Sequence, residues 1–174
     1  MIELAHPTFK INLTELHKPS VLLSELKRLR LQHHCYAFWV KNNDTDILMN
    51  IGMSTGRHVG DRLYRKVGNL PGWDKYQLTG VFGSDMKMVV ELVEEKFNKD
   101  LKIHKDNVCL HIWDTNNLIS PNFNSPTVEA EKKLFRDCKE KFGCIPAGNI
   151  QDPNDRNKSL VHRKHFDSLF EMNE

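Results

Sequence analysis

Three side chains in this 174-residue sequence combine functional groups that can act on a charged substrate: a phenol, a guanidinium and a carboxylate. Tyr36 lies in an apolar run, and Arg62 lies beside apolar positions of a predicted helix. Glu131 lies at the margin of an apolar helical stripe, where a carboxylate costs free energy unless it has a partner, a proton or a metal ion. A core tyrosine, a surface arginine with a buried stem and a paired glutamate are the structural alternatives for the three positions.

The elements that must position these side chains are strands and helices in mixed order. Residues 35–40 form an aromatic-rich apolar run typical of a buried strand, residues 41–46 have turn chemistry, and residues 47–51 predict the returning strand of a hairpin. Residues 108–113 predict a third strand. Apolar residues at helical spacing predict four helices: after Pro19-Ser20, after Gly52, from Ser84 or Asp85, and from Ser125-Pro126 to about Gly143.

These elements predict an α/β (α+β) fold with a small three-stranded, mostly antiparallel sheet flanked by helices. Residues 1–33 are expected to form an N-terminal helical extension, residues 34–152 the α/β domain, and residues 153–174 a basic C-terminal tail. Hydrophobic residues make up 39% of the chain, which is enough for one sizeable core and excludes a disordered chain.

Location is predicted from what the sequence lacks. The longest apolar run, residues 35–40, is far shorter than the roughly 20 residues of a membrane span. The first residues show no secretory signal. The four cysteines are scattered without a CxxC pair, so we expect reduced thiols, a cytoplasmic protein and no membrane partner.

Charge is segregated although the net charge is only +2. Basic residues concentrate in segments 27–41, 57–66 and 156–164, whereas acidic residues concentrate in segment 85–100. Such segregation can build a basic face for phosphates. A set of solvated charged surfaces is the alternative.

The order of the chemical groups resembles that of the GIY-YIG nuclease family, of which this chain would be a divergent member. The resemblance covers about residues 35–150 and is carried by three motifs: His34-Cys35-Tyr36; Asn50-Ile51-Gly52 followed by Met53-Ser54 and Arg62; and Glu131-Lys132-Lys133-Leu134 followed by Pro146-Ala147-Gly148-Asn149. The glycine and isoleucine of the first motif are absent, and Asn50 stands where the family has its second tyrosine. The hairpin turn is expected to be about four residues longer than in the family.

The resemblance implies hydrolysis of DNA phosphodiester bonds with one Mg²⁺ (or Mn²⁺) ion per active site. Tyr36 would be the general base, Arg62 would hold the phosphate, and Glu131 would be the metal ligand. Asn149 would orient Glu131 or the substrate backbone, and His58 would assist proton transfer. Glu129 is a competing carboxylate, but helix phase favours Glu131.

The substrate is expected to contact residues around these groups: Asn50, Gly52, Ser54, Arg57, Arg65 and Lys66. Both a restriction-type endonuclease and a less selective phage or repair nuclease fit this interpretation. One active site cuts one strand, so double-strand cleavage would require a homodimer or two visits. The alternative is a non-catalytic nucleic-acid-binding or regulatory module on the same scaffold, for which Asn50 and the absent glycine are the motivation.

Overall fold

The computed structural model describes residues 2–43, 45–55, 61–73, 81–97, 101–119, 125–149 and 152–155. The strands and α-helices, numbered in chain order, are β1 (Phe9–Asn12), α1 (Pro19–Arg28), β2 (His34–Asn42), β3 (Thr45–Ser54), α2 (Asp61–Gly68), α3 (Val81–Lys96), β4 (Val108–Asp114) and α4 (Pro126–Phe142). Short 3₁₀ helices at Leu13–Glu15 and Lys105–Asn107 precede α1 and β4. The predicted α+β class is confirmed. None of the helices in these ranges is long and apolar enough to cross a membrane.

The sheet lies between two helical layers. Alternate residues of β2 point to opposite faces, so Tyr36 and Phe38 pack in one core with residues of α1, α2 and α3. Ala37 and Trp39 pack in a second core with residues of α4. Because both faces are covered, all of His34–Val40 is buried, as the apolar run predicted.

The sheet has four strands in the order β1-β4-β2-β3, and all neighbouring pairs are antiparallel. The prediction of three strands was therefore wrong. The additional strand, β1, pairs with β4 from Phe9↔Ile112 to Asn12↔Cys109. Four residues are too few to show a periodic pattern, and the pairing depends on an edge of β4 about 100 residues away.

Helix α1 buries Leu22 and Leu26 in the same core as β2.

The hairpin between β2 and β3 is tighter than predicted. Asn42 pairs with Thr45, so the turn contains two residues rather than an expanded loop. Asn43 has a φ of 44°, a left-handed conformation that asparagine tolerates better than most residues and that two-residue hairpins need. The polar residues 41–46 were taken for a turn, but most of them extend the two strands.

Helix α3 differs from its prediction at its N-terminal end, whereas α4 agrees with its prediction at both ends. Helix α3 begins at Val81 rather than at Ser84 or Asp85. Helix α4 begins after Ser125 and ends at Gly143, as predicted, and Gly143 adopts a φ of 74°. The chain then runs along the outer edge of β3, where the Gly148 N–H donates to the Met49 carbonyl oxygen at 2.7 Å.

Candidate functional site

Three of the predicted site residues meet at consecutive positions of the edge strand β3. Asn149 contacts Ile51, the ring of Tyr36 lies against Gly52, and Arg62 contacts Met53. These residues come from a loop, from β2 and from α2. Each of them contacts a different one of three consecutive β3 residues.

The glycine at position 52 provides the space that Tyr36 occupies. The two residues are direct partners in the β2–β3 ladder. A Cβ atom on Gly52 would lie 2.5 Å from the Tyr36 hydroxyl oxygen and 2.6 Å from Cζ. Tyr36 has no solvent exposure (0%), and its ring makes an edge contact with Phe38 at 5.8 Å between centroids.

Arg62 and Glu131 belong to helices on opposite faces of the sheet. Arg62 is exposed on α2, and its Nη1 donates to the Met53 carbonyl oxygen at 3.4 Å. Glu131 is half-buried on α4. Burial raises the pKa of Glu131, and the positive charge of Arg62 opposes that increase. The positive charge of the Arg62 guanidinium therefore acts on the Glu131 carboxyl group.

Cys35 also belongs to the surroundings of Glu131, which sequence reasoning did not predict. Burial raises the pKa of the Cys35 thiol, and the negative charge of Glu131 raises it further. The Cys35 Sγ donates to the Thr127 carbonyl oxygen at 3.4 Å. Successive side chains of β2 alternate between the two faces of the sheet. Tyr36 therefore points away from α4, and Cys35, the preceding residue, points toward it.

The competing carboxylate Glu129 has a different environment. Its Oε1 accepts from Lys132 Nζ at 3.3 Å, one helical turn along α4. Glu131, two residues away, has Arg62 as the partner that opposes its raised pKa. The positive charge of Arg62 thus acts on Glu131.

Asn149 makes two hydrogen bonds with the main chain of Ile51. Its Oδ1 accepts from the Ile51 N–H at 2.9 Å, and its Nδ2 donates to the Ile51 carbonyl oxygen at 2.9 Å. The side chain therefore continues the sheet's hydrogen bonding at the outer edge of β3. These contacts show that Asn149 holds the main chain of β3 at Ile51. That Asn149 orients Glu131 or the substrate stays a prediction.

The other predicted substrate contacts differ in their accessibility. Asn50 and Ser54 are each 5% exposed, as is Lys66 on α2. Arg65 on α2 is half-buried. Arg57 and His58 lie outside the described residues.

His34 is a second residue that sequence reasoning did not assign. It is fully buried (0%) on the same face as Tyr36, and the two ring centroids are 6.3 Å apart. Its Nδ1 is 2.9 Å from the Leu31 carbonyl oxygen, so Nδ1 carries the proton of the neutral ring. Burial lowers the pKa of His34. The sequence did contain one signal for His34, because it occupies the position at which the first family motif has glycine.

The carboxylate of Glu131 fits a hard divalent ion. Mg²⁺ prefers oxygen ligands, keeps several waters and is bound through few protein carboxylates together with substrate phosphate. Within the described ranges, no cluster of three or more His, Cys, Asp or Glu side chains could hold a metal ion. The assignment of Glu131 as the Mg²⁺ ligand therefore stays a prediction.

Comparisons with protein-family models, curated proteins and solved structures find no match for this chain. The sequence motifs and the contacts at Ile51, Gly52 and Met53 are therefore the basis for assigning a function.

Proposed function

We propose that this chain is a divalent-metal-dependent DNA endonuclease that hydrolyses phosphodiester bonds at the edge of β3. The observation that carries the proposal is that Tyr36 and Arg62 contact the adjacent β3 residues Gly52 and Met53. The positive charge of Arg62 also opposes the rise in the pKa of Glu131. This combination supports the family resemblance because Tyr36 and Arg62, which are distant in sequence, contact adjacent residues of β3. A restriction-type enzyme and a phage or repair nuclease both remain compatible with it.

Each of the three groups has a role in the proposed reaction. The exposed guanidinium of Arg62 would hold the scissile phosphate and offset negative charge that develops in the transition state. Glu131 would hold the metal ion and Tyr36 would accept the proton of the attacking water. When bound, Mg²⁺ would polarise the phosphate and make water more acidic.

Plasmid nicking tests this proposal directly. Supercoiled plasmid should be nicked in Mg²⁺ or Mn²⁺ and remain intact in chelator. Arg62→Ala and Glu131→Gln should each lower the nicking rate by about 10²–10³-fold, the usual effect of losing a group that stabilises transition-state charge. Glu129→Gln is the matched control, because it changes a carboxylate on the same helix that pairs with Lys132.

The proposal would be refuted if neither metal ion supports nicking. It would also be refuted if nicking survives in both Arg62→Ala and Glu131→Gln, because the cleavage would then come from another protein or another site. Equal losses in Glu129→Gln and Glu131→Gln would contradict the assignment of the metal ligand. Circular dichroism of each variant separates loss of the site from loss of the fold.

One observation favours a non-catalytic nucleic-acid-binding or regulatory module instead. Tyr36 is fully buried and packs with α1, α2 and α3, whereas Glu131 belongs to α4 on the other side of the sheet. A base that acts on water needs access to that water. The module predicts DNA binding without cleavage. For the enzyme, Tyr36→Phe should retain DNA binding and lose most turnover.

The assembly and location of the proposed enzyme follow from the same chemistry. One site with one metal ion cuts one strand, so we expect double-strand cleavage to require a homodimer or two visits; the homodimer makes a distinct kinetic prediction. The rate of linear product formation should then rise more steeply with protein concentration than the rate of nicking. All four cysteines are unpaired and buried, in keeping with the expected cytoplasmic location.

A further inference from the structure

A second group of aromatic side chains lies on the α4 face of the sheet, away from Tyr36. This outer aromatic cluster consists of Trp39 on β2, His111 on β4 and Phe142 at the end of α4. The Trp39 and His111 ring centroids are 5.6 Å apart, and the Trp39 and Phe142 centroids are 6.2 Å apart. His111 and Phe142 are half-buried, so the cluster reaches the surface.

Two ring nitrogens of the cluster have no hydrogen-bond partner in the described part of the chain. These are Trp39 Nε1 and His111 Nδ1, both of which are buried. The other two tryptophans differ: Trp113 Nε1 donates to the Glu3 carbonyl oxygen and Trp73 Nε1 to the Val67 carbonyl oxygen, each at 2.9 Å. Buried donors and acceptors without partners are costly. Trp39 is 9% exposed, and its Nε1 is a donor that no described group satisfies.

Lysines surround the outer aromatic cluster. Lys10 is paired with His111 across β1 and β4, and the positive charges of Lys10 and Lys41 both act on Cys109, the ladder partner of Trp39. Lys141 Nζ lies 5.2 Å from the centroid of the Phe142 ring.

The acidic groups that act on the same region are Asp46 and Glu15. Burial and the charge of Lys10 lower the pKa of His111 to about 4. His111 is therefore neutral at pH 7, with one ring nitrogen a donor and the other an acceptor.

We propose that the outer aromatic cluster binds a base of single-stranded DNA, with Lys10, Lys41 and Lys141 contacting the adjoining phosphates. A base offers a flat ring that stacks on aromatic side chains and an edge with both donors and acceptors. Trp39 Nε1 needs an acceptor, and His111 can pair with either kind of group. The choice of DNA rests on the proposed function, but the binding itself does not require cleavage.

Fluorescence anisotropy of a labelled oligothymidylate, measured with the full chain in chelator, tests this inference. Trp39→Phe keeps an aromatic ring and removes the donor, and we expect it to weaken binding about tenfold, as should His111→Ala. Trp73→Phe and Lys87→Ala are matched controls, because Trp73 packs against the other core and Lys87 is exposed on α3. Both controls should bind like the wild-type chain.

Lys10→Ala is a second variant that changes only an exposed side chain. It should weaken binding and reduce the magnitude of the slope of log K against log salt by about 0.7, the value for one phosphate contact on a single strand. Quenching of tryptophan fluorescence by the oligonucleotide should persist in Trp73→Phe and disappear in Trp39→Phe.

Three results would overturn the inference: no binding of the oligonucleotide, unchanged affinity in both Trp39→Phe and Lys10→Ala, or binding of duplex DNA alone. Plasmid nicking is scored separately, so the outcomes are distinguishable. Oligonucleotide binding without nicking refutes only the proposed enzyme, and nicking with unchanged binding in these variants refutes only the cluster.

Discussion

The contact between Gly52 and Tyr36 gives the sharpest test of the geometry at β3. Gly52→Ala adds a Cβ atom that would lie 2.5, 2.6 and 2.9 Å from the Tyr36 hydroxyl oxygen, Cζ and Cε2. Tyr36 is fully buried, so its ring cannot move into solvent. The substitution must therefore displace the ring, the strand or both.

Two opposing effects set the change in the free energy of unfolding caused by Gly52→Ala. Overpacking a buried site costs about 1–3 kcal/mol. Gly52 lacks a positive φ, so alanine at this strand position would otherwise stabilise the fold by about 0.5–1 kcal/mol. We expect Gly52→Ala to lower the free energy of unfolding of the wild-type chain by about 1–2 kcal/mol. In a Tyr36→Leu background, which lacks all three atoms, the same change should be stabilising.

Urea denaturation of the four chains of this double-mutant cycle measures the coupling. Gly143→Ala is the control, because Gly143 has a positive φ of 74° and nothing within 4 Å of an added Cβ. Its cost should be the same with and without Tyr36. An equal destabilisation by Gly52→Ala in both backgrounds would refute the close packing of Tyr36 on Gly52.

Three further predictions concern the surroundings of the site. Asn149→Ala removes both hydrogen bonds to the buried Ile51 main chain and should lower the free energy of unfolding, measured with urea, by about 2–4 kcal/mol. The control Asn117→Ala changes an exposed residue and should alter that free energy by less than about 0.5 kcal/mol. Equal effects of the two substitutions would contradict the Asn149 contacts. Burial raises the pKa of Glu131 above its ordinary value of 4.5, so the folded chain loses stability as pH rises through the folded-state pKa. Glu131→Gln should accordingly be more stable than wild type at pH 7, with the gain vanishing below about pH 4, and a gain of equal size at both pH values would be contrary to this reasoning. Burial raises the pKa of Cys144 to about 11, so this thiol should react with Ellman's reagent at pH 8 only after denaturation; rapid reaction of the native chain would disprove it.

The elements with strong local patterns were predictable. The run at residues 35–40 is apolar on both faces because β2 is covered by helices on both sides. Helix α4 was predicted between Ser125-Pro126 and Gly143 because the N-terminal proline and the left-handed glycine are local signals. The first strand was missed because four residues carry too little pattern, and the length of the hairpin turn was overestimated because polar residues also extend exposed strand ends.

The sequence by itself determined which residues are candidates for chemistry, because the phenol, guanidinium and carboxylate occur in a recognisable order. It also predicted, from helix phase, that Glu131 rather than Glu129 is the metal ligand. Only the tertiary structure decided that Tyr36 is buried against Gly52, that Asn149 holds Ile51, and that Arg62 and Glu131 interact around the edge of β3. The reason is physical: sequence periodicity specifies which face of its own element a residue occupies, whereas contacts between residues about 100 positions apart depend on how sheet and helices pack.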